Sequence, residues 1–210
     1  MPQPSLTTPK WQGGRLPRAE VDRRIARLLD IALDEFVQHG FGGASLDRLV
    51  ALSGVSKTTI YRRFGSKEGL FTTLIGQSVE LIRTALRDLR LDPEDPAGSI
   101  AAFVRIYSDI AVADPLGRAL LGIALGERTA FPSLGRELLQ NAYVGLQPLS
   151  DLIAELMARG VLRPGDPMEA AFDLQGLITQ GFRAFVDDIA FISEPGRPER
   201  IAERFLKGWR

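Results

Sequence analysis

Hydrophobic residues recur at intervals of three or four positions along most of this chain, the pattern that amphipathic helices produce. The first such stretch begins near Glu20 and ends at Gly40, a residue type common at helix C-termini. Its apolar positions are Val21, Ile25, Leu28, Leu29, Ala32 and Phe36. No stretch has the sustained alternation of apolar and polar residues that marks a half-buried strand. The pattern therefore predicts an all-α protein.

A short second helix, a turn and a third helix follow the first one. Ser45 and Ser56 are good helix N-caps, and Gly54 between the helices can adopt the left-handed conformation of a tight turn. In the third helix Ile60 and Phe64 share one face because they are four residues apart. The opposite face carries Lys57, Thr58, Tyr61 and Arg62. This is a helix-turn-helix whose second helix offers cations, hydroxyls and a phenol to a partner, and such a helix fits the major groove of DNA.

The rest of the chain predicts further helices, about nine in all. A long fourth helix is expected from Ser66 to about Arg90, where a segment containing Pro93 and Pro96 ends the pattern. Later helices are expected near residues 100–110, 116–125, 132–159, 166–192 and 198–209. The fourth helix is long enough to join the helix-turn-helix to the helices that follow.

Three parts of the chain are expected to differ in role. Residues 1–19 are rich in proline and glycine and predict a flexible arm, residues 20–72 form the DNA-binding domain with its motif at about 45–64, and residues 73–210 form a regulatory and dimerisation domain. Net charge is zero, but residues 1–72 hold 11 Lys and Arg against 7 Asp and Glu, while the remainder holds 15 against 19. A basic end on an acidic body suits DNA contact at one end only.

The last two predicted helices are unusually apolar. Apolar residues cover more than half the circumference of the helix at 166–192. A second stripe is formed by Ile201, Phe205, Leu206 and Trp209. Either these helices are buried centrally in the core or their second face meets a partner subunit. Two-fold dimers are the commonest way to bury such a surface, so a homodimer is expected.

Composition excludes several classes of site. There is no cysteine, which rules out disulfides, thiolate catalysis and zinc fingers, and the single histidine, His39, falls at a helix end with no catalytic partner near it in sequence. No enzyme activity, metal site or cofactor is expected. No run approaches the roughly 18 apolar residues that span a bilayer, and no signal peptide is recognisable, so a cytoplasmic protein is expected.

With these motifs assigned, the chain resembles the tetracycline-repressor (TetR) family of bacterial transcriptional regulators. The matching residues are Ala32, Phe36, Gly40 and Phe41, then Ser45-Leu46, Ala51 to Ser56, Thr59 to Tyr61, Phe64, and Ser66 to Phe71. A second set is similar to the AefR-like regulatory domain of that family: Gly126-Glu127, Phe131-Pro132, Leu134, Arg159-Gly160, Asp166-Pro167 and Ala170-Ala171. The resemblance implies a homodimeric repressor with three N-terminal DNA-binding helices. A C-terminal pocket would bind a small-molecule inducer that changes the separation of the recognition helices and releases a palindromic operator.

The resemblance also implies a role for individual residues. In the third helix the DNA contacts would be Lys57, Thr58, Thr59, Tyr61 and Arg62. Thr58 and Arg62 are expected to read bases, because arginine can bond O6 and N7 of guanine together. Tyr61 and Lys67 are expected to bind phosphate. Ser45 and Ser56 would contact the DNA backbone from helix N-termini, a role compatible with capping.

The inducer pocket is the least defined prediction. Candidate lining residues combine aromatic walls with a few polar tips, and each could equally be plain core. They are Phe103, Tyr107, Leu121, Phe131, Tyr143, Phe172 and Gln175. The alternative function is a regulator of the same family that activates transcription, or one controlled by a protein partner without a small ligand. A middle domain packed without a cavity would favour that alternative.

Overall fold

The computed structural model describes residues 17–87, 89, 91–181, 183 and 190–210. This part of the chain contains nine α-helices and no strand, which confirms the all-α prediction. The helices are α1 (Arg18–Gly43), α2 (Leu46–Ser53), α3 (Lys57–Phe64), α4 (Lys67–Arg87), α5 (Pro96–Tyr107), α6 (Pro115–Glu127), α7 (Pro132–Ala158), α8 (Pro167–Thr179) and α9 (Arg197–Trp209). A π-helical turn (Ser108–Val112) continues α5, and a 3₁₀ turn (Ala190–Ser193) precedes α9. Nearly all of the arm predicted at residues 1–19 lies outside the described residues.

Local capping sets the start of most helices. Ser45 and Ser56 each accept a hydrogen bond from a backbone amide in the first turn of α2 and α3, as expected from the sequence. Asp95, Asp114 and Asp166 cap α5, α6 and α8 in the same way, and each precedes a proline at the first helical position. These short-range signals explain why most predicted starts lie close to the observed ones.

Two hydrophobic clusters organise the fold. The N-terminal cluster contains residues of α1, α2, α3 and α4, together with Leu120 and Ala124 of α6 and Leu134 of α7. The C-terminal cluster joins α5, α7, α8 and α9 to the second half of α4. Helix α4 therefore belongs to both clusters, with Ile75 buried in the first and Ile82 in the second.

The long helix predicted at residues 166–192 ends earlier than expected. Helix α8 ends at Thr179 because Gln180 adopts a left-handed conformation with φ 49°, and Gly181 follows with φ 63°. Glutamine has no special preference for that region, so Gly181, which follows directly, is the local signal for this end. Half of the apolar residues that widened the predicted helix lie outside the described residues: Phe182, Phe185, Val186 and Ile189.

The apolar stripe of α9 is buried within its own chain. Ile201, Phe205, Leu206 and Trp209 are at most 7% exposed and pack in the C-terminal cluster against α5 and α8. For this stripe, central burial rather than a partner subunit is the explanation. Among the described helices, none combines the length and the apolar character needed to cross a membrane.

Candidate nucleic-acid interface and internal cavity

Helix α3 has one buried face and one exposed face. Ile60 is fully buried beneath it, and the turn before it is closed by Gly54, with φ 69°, and by buried Val55. The residues on the outer face are exposed: Lys57, Thr58, Tyr61, Arg62 and Arg63. Among the described residues, no carboxylate forms an ion pair with Arg62. The arrangement can therefore present a phenol and a guanidinium to a groove without breaking an internal contact.

Two of the DNA contacts predicted within α3 already have protein partners. Lys57 Nζ donates to Asp47 Oδ1 of α2 at 2.9 Å, and this bond raises the pKa of Lys57. Thr59 is half-buried, and its hydroxyl lies 2.9 Å from that of Ser56, which also accepts from the Thr59 amide at 3.2 Å. Thr59 thus stabilises the start of α3. The ammonium of exposed Lys57 keeps two donors for DNA beside its bond to Asp47.

Lys67 connects α4 to the end of α1. Its ammonium donates to the carbonyl oxygens of Gly42 at 3.2 Å and Ala44 at 3.1 Å, and it lies 4.8 Å from the ring centre of Phe41. An ammonium has three donors, so one N–H is left for a phosphate. The side chain expected to bind phosphate is thus half-buried and also has a structural role.

A buried carboxylate fixes the entry to α2. Glu35 is 5% exposed and accepts hydrogen bonds from the Ser45 amide at 2.7 Å and from Arg48 Nε at 2.9 Å. Burial raises the pKa of Glu35, but the hydrogen bonds from Arg48 and Ser45 outweigh that effect and hold its pKa below the ordinary value. Sequence reasoning missed this residue, although its place beside Ala32 and Phe36 on the apolar face of α1 was a usable signal. Ser45 is therefore held by two contacts: its amide donates to Glu35, and its hydroxyl caps α2 by accepting from the Arg48 amide.

A second carboxylate joins α6 to the end of α1. The Gly42 amide donates to both carboxylate oxygens of Glu127, at 3.0 and 2.8 Å. Helix α1 is interrupted just before, at Gly40, where φ is 67°. The positive φ favours glycine at this position, and a Cβ there would lie 2.9 Å from Glu127 Oε1, so a larger residue would also displace the Glu127 carboxylate. This contact links residues 85 apart in sequence and is the polar connection from α6 to the segment that leads into α2.

A cavity of about 560 Å³ lies where the two hydrophobic clusters meet. Its walls come from α4 to α8 and are mostly apolar, with Ile75 and Ile82 of α4 facing Leu138 and Leu139 of α7. The polar exceptions include Tyr107 and Gln175, whose side chains are hydrogen-bonded to each other at 2.6 Å. A volume of this size is typical of sites for small organic ligands.

Four of the seven residues predicted for the inducer pocket line this cavity: Tyr107, Leu121, Phe172 and Gln175. The other three lie elsewhere. Phe103 is fully buried in the C-terminal cluster, and Phe131 packs on Phe41 with ring centres 4.6 Å apart. Tyr143 is 46% exposed and contacts the ring of Phe172 from outside the cavity lining. Arg128, which sequence reasoning missed, lines the cavity at the C-terminal end of α6. No cluster of three or more acidic or histidine side chains among the described residues could hold a metal ion.

Family models match both parts of the chain. Residues 28–74 match bacterial regulatory proteins of the tetR family, and residues 98–203 match the C-terminal domain of AefR-like transcriptional repressors. The HTH-type transcriptional regulator RutR of Escherichia coli K12 is 30% identical over 159 residues, which cover 76% of this chain and 73% of that protein. The HTH-type transcriptional activator FasR of Mycolicibacterium smegmatis is 30% identical over 52% of this chain and 49% of its own length. The structure of the flavonoid-responsive regulator FrrA superposes with a TM-score of 0.70 and 27% identity, over 89% of this chain and 95% of that one.

Proposed function

Because this chain belongs to the tetR family of bacterial transcriptional regulators, we propose that it is a homodimeric repressor that a small molecule releases from a palindromic operator. The exposed face of α3 carries this proposal. Tyr61 is 47% exposed there, and Arg62 beside it is also exposed while Ile60 anchors the helix from below. In this arrangement Thr58 and Arg62 read bases, and Tyr61, Lys67, Ser45 and Ser56 contact the DNA backbone.

The operator is expected to be a palindrome because two-fold protein symmetry is mirrored in the site. We would footprint the purified protein on the intergenic DNA beside its own gene, at stated salt, and measure its mass by sedimentation. A protected inverted repeat bound by a two-chain particle is the expected result. Selection from random duplexes that returned only asymmetric sites would contradict it.

The cavity supports control by a small ligand over control by a protein partner, since it combines a volume of about 560 Å³ with a largely apolar lining, as small-molecule sites do. Activation in place of repression remains the second candidate, and the relative named as a transcriptional activator favours it. Measuring transcription from the protected promoter with and without the protein separates these two: repression lowers the signal and activation raises it.

Helix α6 supplies a route from the cavity to the DNA-binding helices. Its Leu121 and Leu125 line the cavity, while Glu127, half a turn further on, holds the Gly42 amide at the end of α1. A ligand that prefers one position of α6 therefore changes the position of the segment entering α2. The Glu127 carboxylate thus couples the cavity to the DNA-binding helices.

Replacing Glu127 with alanine is expected to uncouple the two sites. Ligand coupling is ordinarily worth about 5- to 150-fold in affinity, and the variant should bring this ratio close to unity. The measurement is operator affinity with and without a compound found to release the wild-type protein. Asp30→Ala, an exposed carboxylate on α1, is the matched control for the lost charge and should keep the full ratio. A Glu127→Ala protein that still responds like wild type would contradict this route.

A further inference from the structure

The cavity is elongated along α7. It is lined by residues from Gly135 to Gly145 of that helix, a distance of about 15 Å at 1.5 Å per residue. On α4 the lining runs from Ile75, in the N-terminal cluster, to Ile82, in the C-terminal cluster. An occupant that fills the cavity must therefore be long, and it must be apolar over most of its length.

One end of the cavity carries a cation. Arg128 lines the cavity beside Gly135, where an added Cβ would lie 3.6 Å from the Cβ of Arg128. Arg128 is exposed and donates to the Leu125 carbonyl oxygen of its own helix. Among the described residues, no carboxylate forms an ion pair with Arg128. The planar guanidinium fork matches a carboxylate in geometry, so this end suits an anionic head group.

The other end carries a buried neutral pair. Tyr107 is 7% exposed, and its hydroxyl accepts a hydrogen bond from Gln175 Nε2 at 2.6 Å. Burial raises the pKa of Tyr107 to about 12, so the phenol keeps its proton at neutral pH. Whichever way the Gln175 amide is turned, the pair leaves one donor and one acceptor for a ligand. This end suits an oxygen function such as a hydroxyl, and it disfavours a plain methyl terminus.

We propose that the cavity binds an elongated amphipathic monocarboxylate whose head group pairs with Arg128, whose chain lies along α7, and whose far end carries an oxygen that hydrogen-bonds to the Tyr107–Gln175 pair. This assignment of a ligand class rests on the proposed function as a ligand-responsive repressor. The two polar ends fix the orientation of the ligand, and the apolar walls between them select its length.

The test is calorimetric titration of the full-length protein with three matched probes: ω-hydroxydodecanoate, dodecanoate and dodecan-1-ol. We expect ω-hydroxydodecanoate to bind most tightly. Dodecanoate should bind about 2- to 10-fold more weakly for the loss of a neutral hydrogen bond. Dodecan-1-ol, whose hydroxyl can still reach the Tyr107–Gln175 pair, should bind at least about 10-fold more weakly than ω-hydroxydodecanoate for the loss of the charged hydrogen bond. Arg128→Gln should remove the advantage of the carboxylates, and Tyr107→Phe should remove the advantage of the ω-hydroxyl group.

The control variant is Arg136→Gln, which removes an exposed cation of α7 one residue from Gly135 that does not line the cavity. Equal affinity for dodecan-1-ol and ω-hydroxydodecanoate, or equal losses in the Arg128 and Arg136 variants, would overturn the assignment of the head group. Operator release is measured separately with the same probes. Binding with the expected order but without release supports the ligand class and contradicts the proposed function. If only compounds without an anionic group release the operator, the proposed function is supported and the ligand class is contradicted.

Discussion

Phe41→Ala is expected to lower the free energy of unfolding by about 3–5 kcal/mol, the range for truncating a fully buried aromatic side chain. The Phe41 ring has no exposed surface and lies 5.8 Å from the ring centre of Phe36, 5.4 Å from Phe71 and 4.6 Å from Phe131. Removing it opens a cavity between α1, α4 and the start of α7. The surrounding rings belong to different helices and cannot collapse into that space together, which places the loss in the upper part of the range for core truncations.

Urea denaturation of the two proteins followed by far-ultraviolet circular dichroism measures this loss. Val37→Ala, four residues earlier on α1, is the matched control because Val37 is 44% exposed. It should cost well under 1 kcal/mol, since surface substitutions away from special features have small effects. Similar losses in the two variants would mean that the aromatic cluster does not hold the N-terminal helices to α7.

Arg62→Ala is expected to weaken binding to the specific operator by about 1–3 kcal/mol, or roughly 5- to 150-fold, while binding to random DNA changes little. The side chain is exposed on the outer face of α3, where a bidentate bond to guanine would be lost. A lost phosphate contact would instead weaken binding to all sequences alike and reduce the dependence on salt.

Arg63→Ala is the natural control for this experiment, because it removes the same charge from the next position of the same helix. Affinities for operator and random duplexes are measured by fluorescence anisotropy at several salt concentrations. Equal losses on both kinds of DNA for Arg62→Ala would remove Arg62 from the base-reading residues. A specific loss at Arg63 would move the base contact to the neighbouring position.

The parts of the fold that sequence reasoning predicted well are those determined within a few residues. As a glycine, Gly54 takes the left-handed turn conformation at low cost, and Ser45 and Ser56 cap the helices that follow them. The helix-turn-helix is therefore determined by residues close together in the sequence. The exposed face of α3 follows from the spacing of Ile60 and Phe64. These signals need no knowledge of the rest of the chain.

The parts that were missed depend on contacts between distant segments. The Glu127–Gly42 contact joins residues 85 apart, and nothing near either residue specifies it. Phe131 was expected at the ligand pocket, but it packs on Phe41 because the start of α7 lies against the end of α1. An aromatic residue on an amphipathic helix fits a pocket wall and a core equally well, and only tertiary packing separates the two. The early end of α8 is a different case, since Gly181, directly after Gln180, is a local signal that could have found it.

The N-terminal cluster draws Leu120, Ala124 and Leu134 from α6 and α7 into the core that the first four helices share. Hybrid regulators are a common aim in building genetic circuits, and this core limits how they can be made from this chain. Joining residues 20–72 to the regulatory half of a relative would bring together two halves of one core that were not selected to fit. New operator specificity is better transplanted as the few exposed side chains of α3, which leave the shared core untouched.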